Sequence, residues 1–179
     1  MHQATKVKTA KNIAVIALIS ASYSVLGTAS GLLVGPALRG YPAHFFRGLL
    51  MSMAAAYSRW MWSTALMGVI SGLVFLVLVP APAPYLLAST LAAGLVYDAV
   101  VAVGGSYAAS ARRRGRILSA ATLSGLAESV VALAILTYLG FFQVPGPVLA
   151  IIWAGAIAAN LVLSVAGSSV TILILRRYA

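Results

Sequence analysis

The amino-acid sequence predicts an all-α integral membrane protein, a single domain over residues 1–179 built as a bundle of six transmembrane helices with both termini in the cytoplasm. Three observations predict it. The chain is 62% hydrophobic and only 8% charged, whereas a soluble domain carries about 25% charged residues, so the medium around its surface has to be lipid. Apolar runs long enough for a hydrocarbon core of ~30 Å recur along the chain, parted by proline, glycine and arginine breaks. The basic residues gather at alternate breaks, as they do where one side of a bilayer retains them.

The first span is expected at residues 12–34, behind Lys6, Lys8 and Lys11. A basic start before an apolar stretch also describes a secretory signal, but the stretch exceeds the ~7–15 residues of a signal core. It ends at Gly35-Pro36, and a polar loop follows at 36–43. Residues 44–79 would extend ~54 Å as one helix, too far for a single crossing. The chain must turn there, and Ser58-Arg59 is the plausible place, bracketed by Trp60 and Trp62 as aromatics bracket a headgroup layer. That gives spans at 43–58 and 61–79. Alternating prolines from Pro80 to Pro84 forbid helix and form a tight connection. A fourth span is expected at 85–109, then a break with Arg112, Arg113, Arg114 and Arg116. The fifth follows at 117–142, Val144-Pro145-Gly146-Pro147 turns the chain, and the sixth runs over 148–175.

Charge placement tests the count. Six spans put the three lysines, Arg59, the four arginines of the break, Arg176 and Arg177 on one side, against Arg39 and Arg47 on the other. Five or seven spans would spoil this asymmetry, which places the basic side in the cytoplasm and the protein in the plasma membrane. The same placement decides against nucleic acid, since the net charge of +10 lies at helix ends and not along a groove. With no cysteine, disulfides, thiolate metal sites and cysteine nucleophiles are excluded.

Asp98 and Glu128 are the only acids, and both fall inside expected spans, near the bilayer middle by this count. A carboxylate there costs ~2.5–3.5 kcal/mol to insert, so each needs a partner and an inward-facing position. Two readings stay open: one or both line a ligand or ion pathway, or they join helices, Arg47 being available for a buried pair. Asn160 reaches a similar depth and is open to the same two readings, ligand contact or an interhelical hydrogen bond. Tyr97, Tyr138, Phe142 and Trp153 are candidates to stack on a flat ligand, although aromatics near an interface ordinarily form its belt. His44 opens span 2 beneath the outer loop, where it can contact a ligand; His2 lies in the basic N-terminal tail. Neither has a second ligand spaced for a metal site. Span 1 carries small residues at intervals of four, Ala17 and Ala21 and then Gly27, Gly31 and Gly35, a spacing that lets helix backbones approach closely. No nucleotide-binding loop, catalytic triad or metalloprotease motif is present, and no cofactor is implied.

Taken together, the chain resembles the substrate-specific S component of an energy-coupling factor transporter. The resemblance covers essentially all 179 residues and rests on the six spans, the cytoplasmic termini, the Ala17-x-x-x-Ala21 element and the loop at 36–43. It implies a transport subunit without an ATPase of its own that holds a vitamin or precursor in an outer-half pocket. It further implies that Ala17 and Ala21 face a transmembrane coupling subunit and that two cytoplasmic ATPases supply energy. Arg39, Tyr41 and His44 would belong to the gate, and residues of spans 4 to 6 would line the pocket. A thiamine or pyrimidine-like ligand ranks first, since Asn160 resembles a polar ligand contact of the thiamine-type members; riboflavin or biotin would fit nearly as well. A cobalt or nickel ligand fits less, because those members use an N-terminal histidine outside the cell. The alternatives are a self-sufficient ion-coupled carrier or small channel with Asp98 or Glu128 as its ion site, a structural or assembly membrane protein, and, last, a membrane-embedded enzyme.

Overall fold

The computed structural model describes residues 2–34, 40–79 and 84–178, with side chains from Thr9 onward. Arg39, assigned to the gate, and the proline run at 80–83 lie outside the described residues. Seven helices and no strand occur among those described: α1 (His2–Leu33), α2 (Tyr41–Ser58), α3 (Ser63–Leu78), α4 (Pro84–Ala102), α5 (Tyr107–Ser110), α6 (Arg114–Tyr138) and α7 (Gly146–Tyr178). Four segments are long and apolar enough to cross a membrane by length and composition: 9–33 of α1, α4, α6 and α7. The shorter α3 is apolar as well.

Several boundaries differ from expectation. The basic N-terminal segment is helical and continuous with the first span, because α1 begins at His2 and runs for 32 residues, of which 9–33 are the stretch long and apolar enough to cross a membrane. The fourth helix stops at Ala102, not at residue 109. There Gly104 and Gly105 take positive φ angles of 79° and 155°, where side chains are rarely accommodated, and the chain restarts as the single turn α5. The fifth span begins at Arg114 and ends at Tyr138, four residues short of 142, where Gly140 at φ 71° turns the chain. The turn expected at Ser58-Arg59 is present. Arg59 takes a left-handed conformation (φ 53°) and its N–H bonds the Ala55 carbonyl, closing α2.

The six long helices pack in a closed ring, α1 against α2, α2 against α7, α7 against α6, α6 against α4, α4 against α3, and α3 back against α1. The C-terminal parts of α1, α3 and α6 and the N-terminal parts of α2, α4 and α7 meet toward one end of the bundle. The 59–62 turn, α5 with the arginines that follow it, the first part of α1 and the last part of α7 share the other. We call these the cavity end and the arginine end.

Small and hydroxylated residues hold two of these contacts close. Between α3 and α4, Thr64 Oγ1 donates to the Gly94 carbonyl at 2.8 Å and Thr90 Oγ1 to the Gly68 carbonyl at 2.9 Å. A Cβ on Gly68 or Gly94 would run into backbone across the interface. Between α2 and α7, Gly48 lies against the Ser164 backbone and Gly167 against the Phe45 carbonyl. Ser52 donates to Ser168 at 2.9 Å and Thr171 to the Leu49 carbonyl at 2.8 Å. In lipid, where burial of apolar surface gives helices little reason to associate, such close approach and interhelical hydrogen bonding supply the packing energy. The apolar core is completed by Ile16, Met51, Met67, Phe75, Tyr97 and Val101.

Candidate functional site

At the cavity end, a cavity of about 360 Å³ lies among all six long helices. Two facts of α1 shape one wall. Tyr23 packs edge-on to Phe75 of α3, ring centroids 5.2 Å apart at 81°, and Gly27, one turn further on, leaves that wall open because a Cβ there would already touch the Phe75 ring. Thr28 stands beside them. Tyr41 and His44 come from the first turn of α2, and Tyr85, Ser89 and Thr90 from the first turns of α4. Glu128, Ser129 and Leu133 of α6 and Ala156 of α7 form the opposite wall. The volume falls in the usual range for small-molecule sites, and the lining is likewise mainly apolar with a few polar groups.

Behind Glu128 stands a buried polar network. Arg47 of α2 has no exposed surface. Its guanidinium pairs with Glu128 Oε2 through Nη1, while Nη2 donates to Asn160 Oδ1 at 2.7 Å and to Ser164 Oγ. The Asn160 amide donates in turn to Glu128 Oε2 and to Ser129 Oγ, each at 2.8 Å. A guanidinium in an apolar bundle is tolerable only when its charge is matched and its donors are mostly used; here α6 supplies Glu128 and α7 supplies Asn160 and Ser164, while Nε has no partner among the described residues. His44 Nδ1 lies 3.1 Å from the same Oε2, near enough for an ion pair when the imidazole is protonated, though it is not aligned as a hydrogen bond. All these partners address Oε2. Oε1 takes no hydrogen bond among the described residues and is not among their sealed, unpaired atoms, so it borders the cavity. Thr28 Oγ1, by contrast, is sealed and has no partner among the described residues.

Asp98 is placed differently from expectation. Because α4 ends at Ala102, Asp98 sits about one turn from the helix end and not near mid-span. Its carboxylate receives the Ala65 N–H at 2.9 Å and the Thr64 N–H at 3.1 Å, with the Tyr107 hydroxyl of α5 donating to Oδ1. Helix α3 begins without a side-chain cap from its own Trp62. Asp98 therefore caps α3 from another helix, using the unpaired N–H groups and positive end that every helix start presents. Tyr97 also points away from the cavity: it is fully buried and its hydroxyl donates to Ser52 at 2.9 Å.

The remaining sequence candidates divide cleanly. Glu128, His44 and Tyr41 line the cavity, and Arg47 and Asn160 support Glu128 from behind. Tyr138 is 90% exposed at the bundle rim, and Trp153 is half-buried with its indole N–H directed at Thr137 Oγ1 at 3.3 Å; neither lines the cavity. Ala17 and Ala21 lie on the exposed face of α1. Sequence reasoning missed Tyr23, Thr28, Phe75, Tyr85 and Ser89. The only signal for them is their common position near the cavity-end halves of their helices, and aromatic and hydroxyl residues are too frequent there to single out.

No family model matches this chain, and neither a curated protein nor a solved structure does.

Proposed function

We propose that this chain captures a small molecule from outside the cell, as the substrate-binding membrane subunit of an importer of the energy-coupling-factor type. In this reading α1, α2, α3, α4, α6 and α7 all cross the plasma membrane, with the arginine end and both termini in the cytoplasm. The observation that carries it is the cavity of about 360 Å³ at the end remote from the arginines, with Glu128 on its wall. A site there is open to the outside and closed below by α2, whose buried stretch from Arg47 to Ala56 fills the middle of the bundle. The exposed Ala17 and Ala21 give α1 a small-residue face on which a coupling subunit packs, and two cytoplasmic ATPases would drive the cycle. The substrate is a vitamin or vitamin precursor, pyrimidine-like in the first instance.

The test is binding by the purified protein, in detergent or nanodiscs, of B-group vitamins and their precursors, read by native mass spectrometry. Nanomolar retention of one compound is expected. If none is retained and the protein fails to co-purify with a coupling subunit and ATPases, the proposal is wrong.

A second reading draws on the His44–Glu128 approach at the cavity wall, which places a titratable base beside a carboxylate and favours a proton-coupled carrier. Asp98, occupied in capping α3, has no part in it. Uptake into proteoliposomes lacking any ATPase, driven by a pH gradient, would select this reading over the first.

A further inference from the structure

The two oxygens of Glu128 are unequally occupied, and this bears on the kind of molecule the cavity takes. Arg47 and Asn160 both bond Oε2, and His44 approaches it at 3.1 Å. Oε1 borders the cavity with no donor of its own. Glu128 is 6% exposed, so that oxygen meets what the cavity holds, and a ligand that filled the cavity without offering a donor would leave the acceptor unpaired, which is costly. The cavity thus offers a hydrogen-bond acceptor where a ligand donor would be rewarded.

The charge balance narrows the donor further. Arg47, fully buried, already neutralises the Glu128 carboxylate, and a protonated His44 would add positive charge beside it. A cationic ligand at Oε1 would leave an uncompensated charge in low dielectric, whereas a neutral N–H brings none. An anionic ligand fares worse. Its negative charge would face Glu128 across the cavity, and Arg47 does not line the cavity and so cannot receive it. Size and shape complete the description. An apolar cavity of ~150 Å³ accommodates one benzene ring, so about 360 Å³ suits roughly two rings. Tyr23 and Phe75, packed edge-on to one another, put aromatic rings on one wall.

We propose that the cavity selects an uncharged, flat compound of about two rings bearing an N–H donor head, bound at Glu128 Oε1, and that it discriminates against cations and anions of the same shape. This rests on the assignment of the cavity as a ligand site and gives that site its substrate class.

Three isosteres on one scaffold test it: 2-naphthamide, 2-naphthamidine and 2-naphthoate, which are neutral, cationic and anionic at pH 7.5. Binding to the purified full chain in nanodiscs would be titrated by calorimetry. The amide is expected to bind about 10- to 100-fold more tightly than either charged relative, because the naphthoate lacks the donor for a hydrogen bond to a charged group and the amidine brings an uncompensated charge. Ala156→Trp, which leaves the Arg47 network intact, should weaken the amide by filling the cavity. Tighter binding of the amidine or the naphthoate would overturn the proposal while leaving the cavity a ligand site. So would amide binding unaffected by Ala156→Trp. Silence from all three alongside a retained vitamin would overturn this proposal alone; silence in both experiments would overturn the ligand site as well.

Discussion

The two acids of this chain sit at different depths of the bundle and do opposite things. Asp98, near the arginine end, has both oxygens engaged: Oδ2 takes the Thr64 and Ala65 N–H groups and Oδ1 the Tyr107 hydroxyl. Its carboxylate is consumed in starting α3 and in tying α5 to that helix. Glu128, at the cavity end, is anchored through one oxygen only, leaving the other at the cavity wall. Both satisfy the requirement that an intramembrane charge find partners, so burial and rarity alone do not separate a fastener from a binding group. The number of lone pairs left over does.

That contrast can be broken at its strongest point first. Arg47→Met removes the cation that holds Glu128 and leaves a buried carboxylate uncompensated. A loss of about 3–5 kcal/mol is expected on that account, read as a lowered unfolding midpoint in detergent micelles. The double variant Arg47→Met with Glu128→Leu should recover most of it, because an apolar pair of similar volume replaces the ion pair. Without that recovery, the pair would not be the principal role of Arg47.

Asp98→Ala is the next largest. It strands two helix-start N–H groups and a tyrosine hydroxyl, at about 2–3 kcal/mol. Ligand affinity of the folded fraction should stay within about threefold, a bound well under a typical hydrogen-bond loss. A large loss of affinity with little loss of stability would place Asp98 in the binding machinery and erase the distinction drawn above. The smallest effect is expected at Tyr138, which is 90% exposed at the rim. Tyr138→Ala should change stability by no more than about 0.5 kcal/mol and leave binding unaltered; a measurable binding defect would extend the site beyond the cavity.

Much of the helical plan was legible because it depends on local chemistry. The turn at Ser58-Arg59 follows from the length a single crossing allows, and Pro147 stands in the first turn of α7, where its missing N–H costs nothing. The error at the end of α4 has a physical source too. Residues 103–109 are apolar or small and continue the hydropathy of the span, while the break depends on Gly104 and Gly105 adopting positive φ. Glycine permits that conformation without requiring it, so hydropathy alone carried the helix too far and displaced Asp98 toward the membrane middle. The partnership of Arg47 with Glu128 was anticipated as one of two readings, since a lone cation and a lone acid in lipid have few other choices. That Asn160 and Ser164 would join them was not, because the residues are more than 100 positions from Arg47 in sequence.

The close contacts repeat the lesson. Small residues at intervals of four drew attention to α1, yet the tightest approaches are Gly48 and Gly167 between α2 and α7, and Gly68 and Gly94 between α3 and α4. A glycine shows where a backbone can be approached and is silent on which helix approaches it.

By itself, then, the sequence determined the solvent the chain is built for and most of the places where its helices begin and turn. Those follow from hydropathy, backbone sterics and charge carried by neighbouring residues. Only the tertiary structure decided the order of helices around the ring, the partner of each buried polar group and the cavity they leave. Each of these depends on contacts between residues far apart in the chain, where many pairings of apolar helices are nearly equal in hydropathy and packing geometry selects among them.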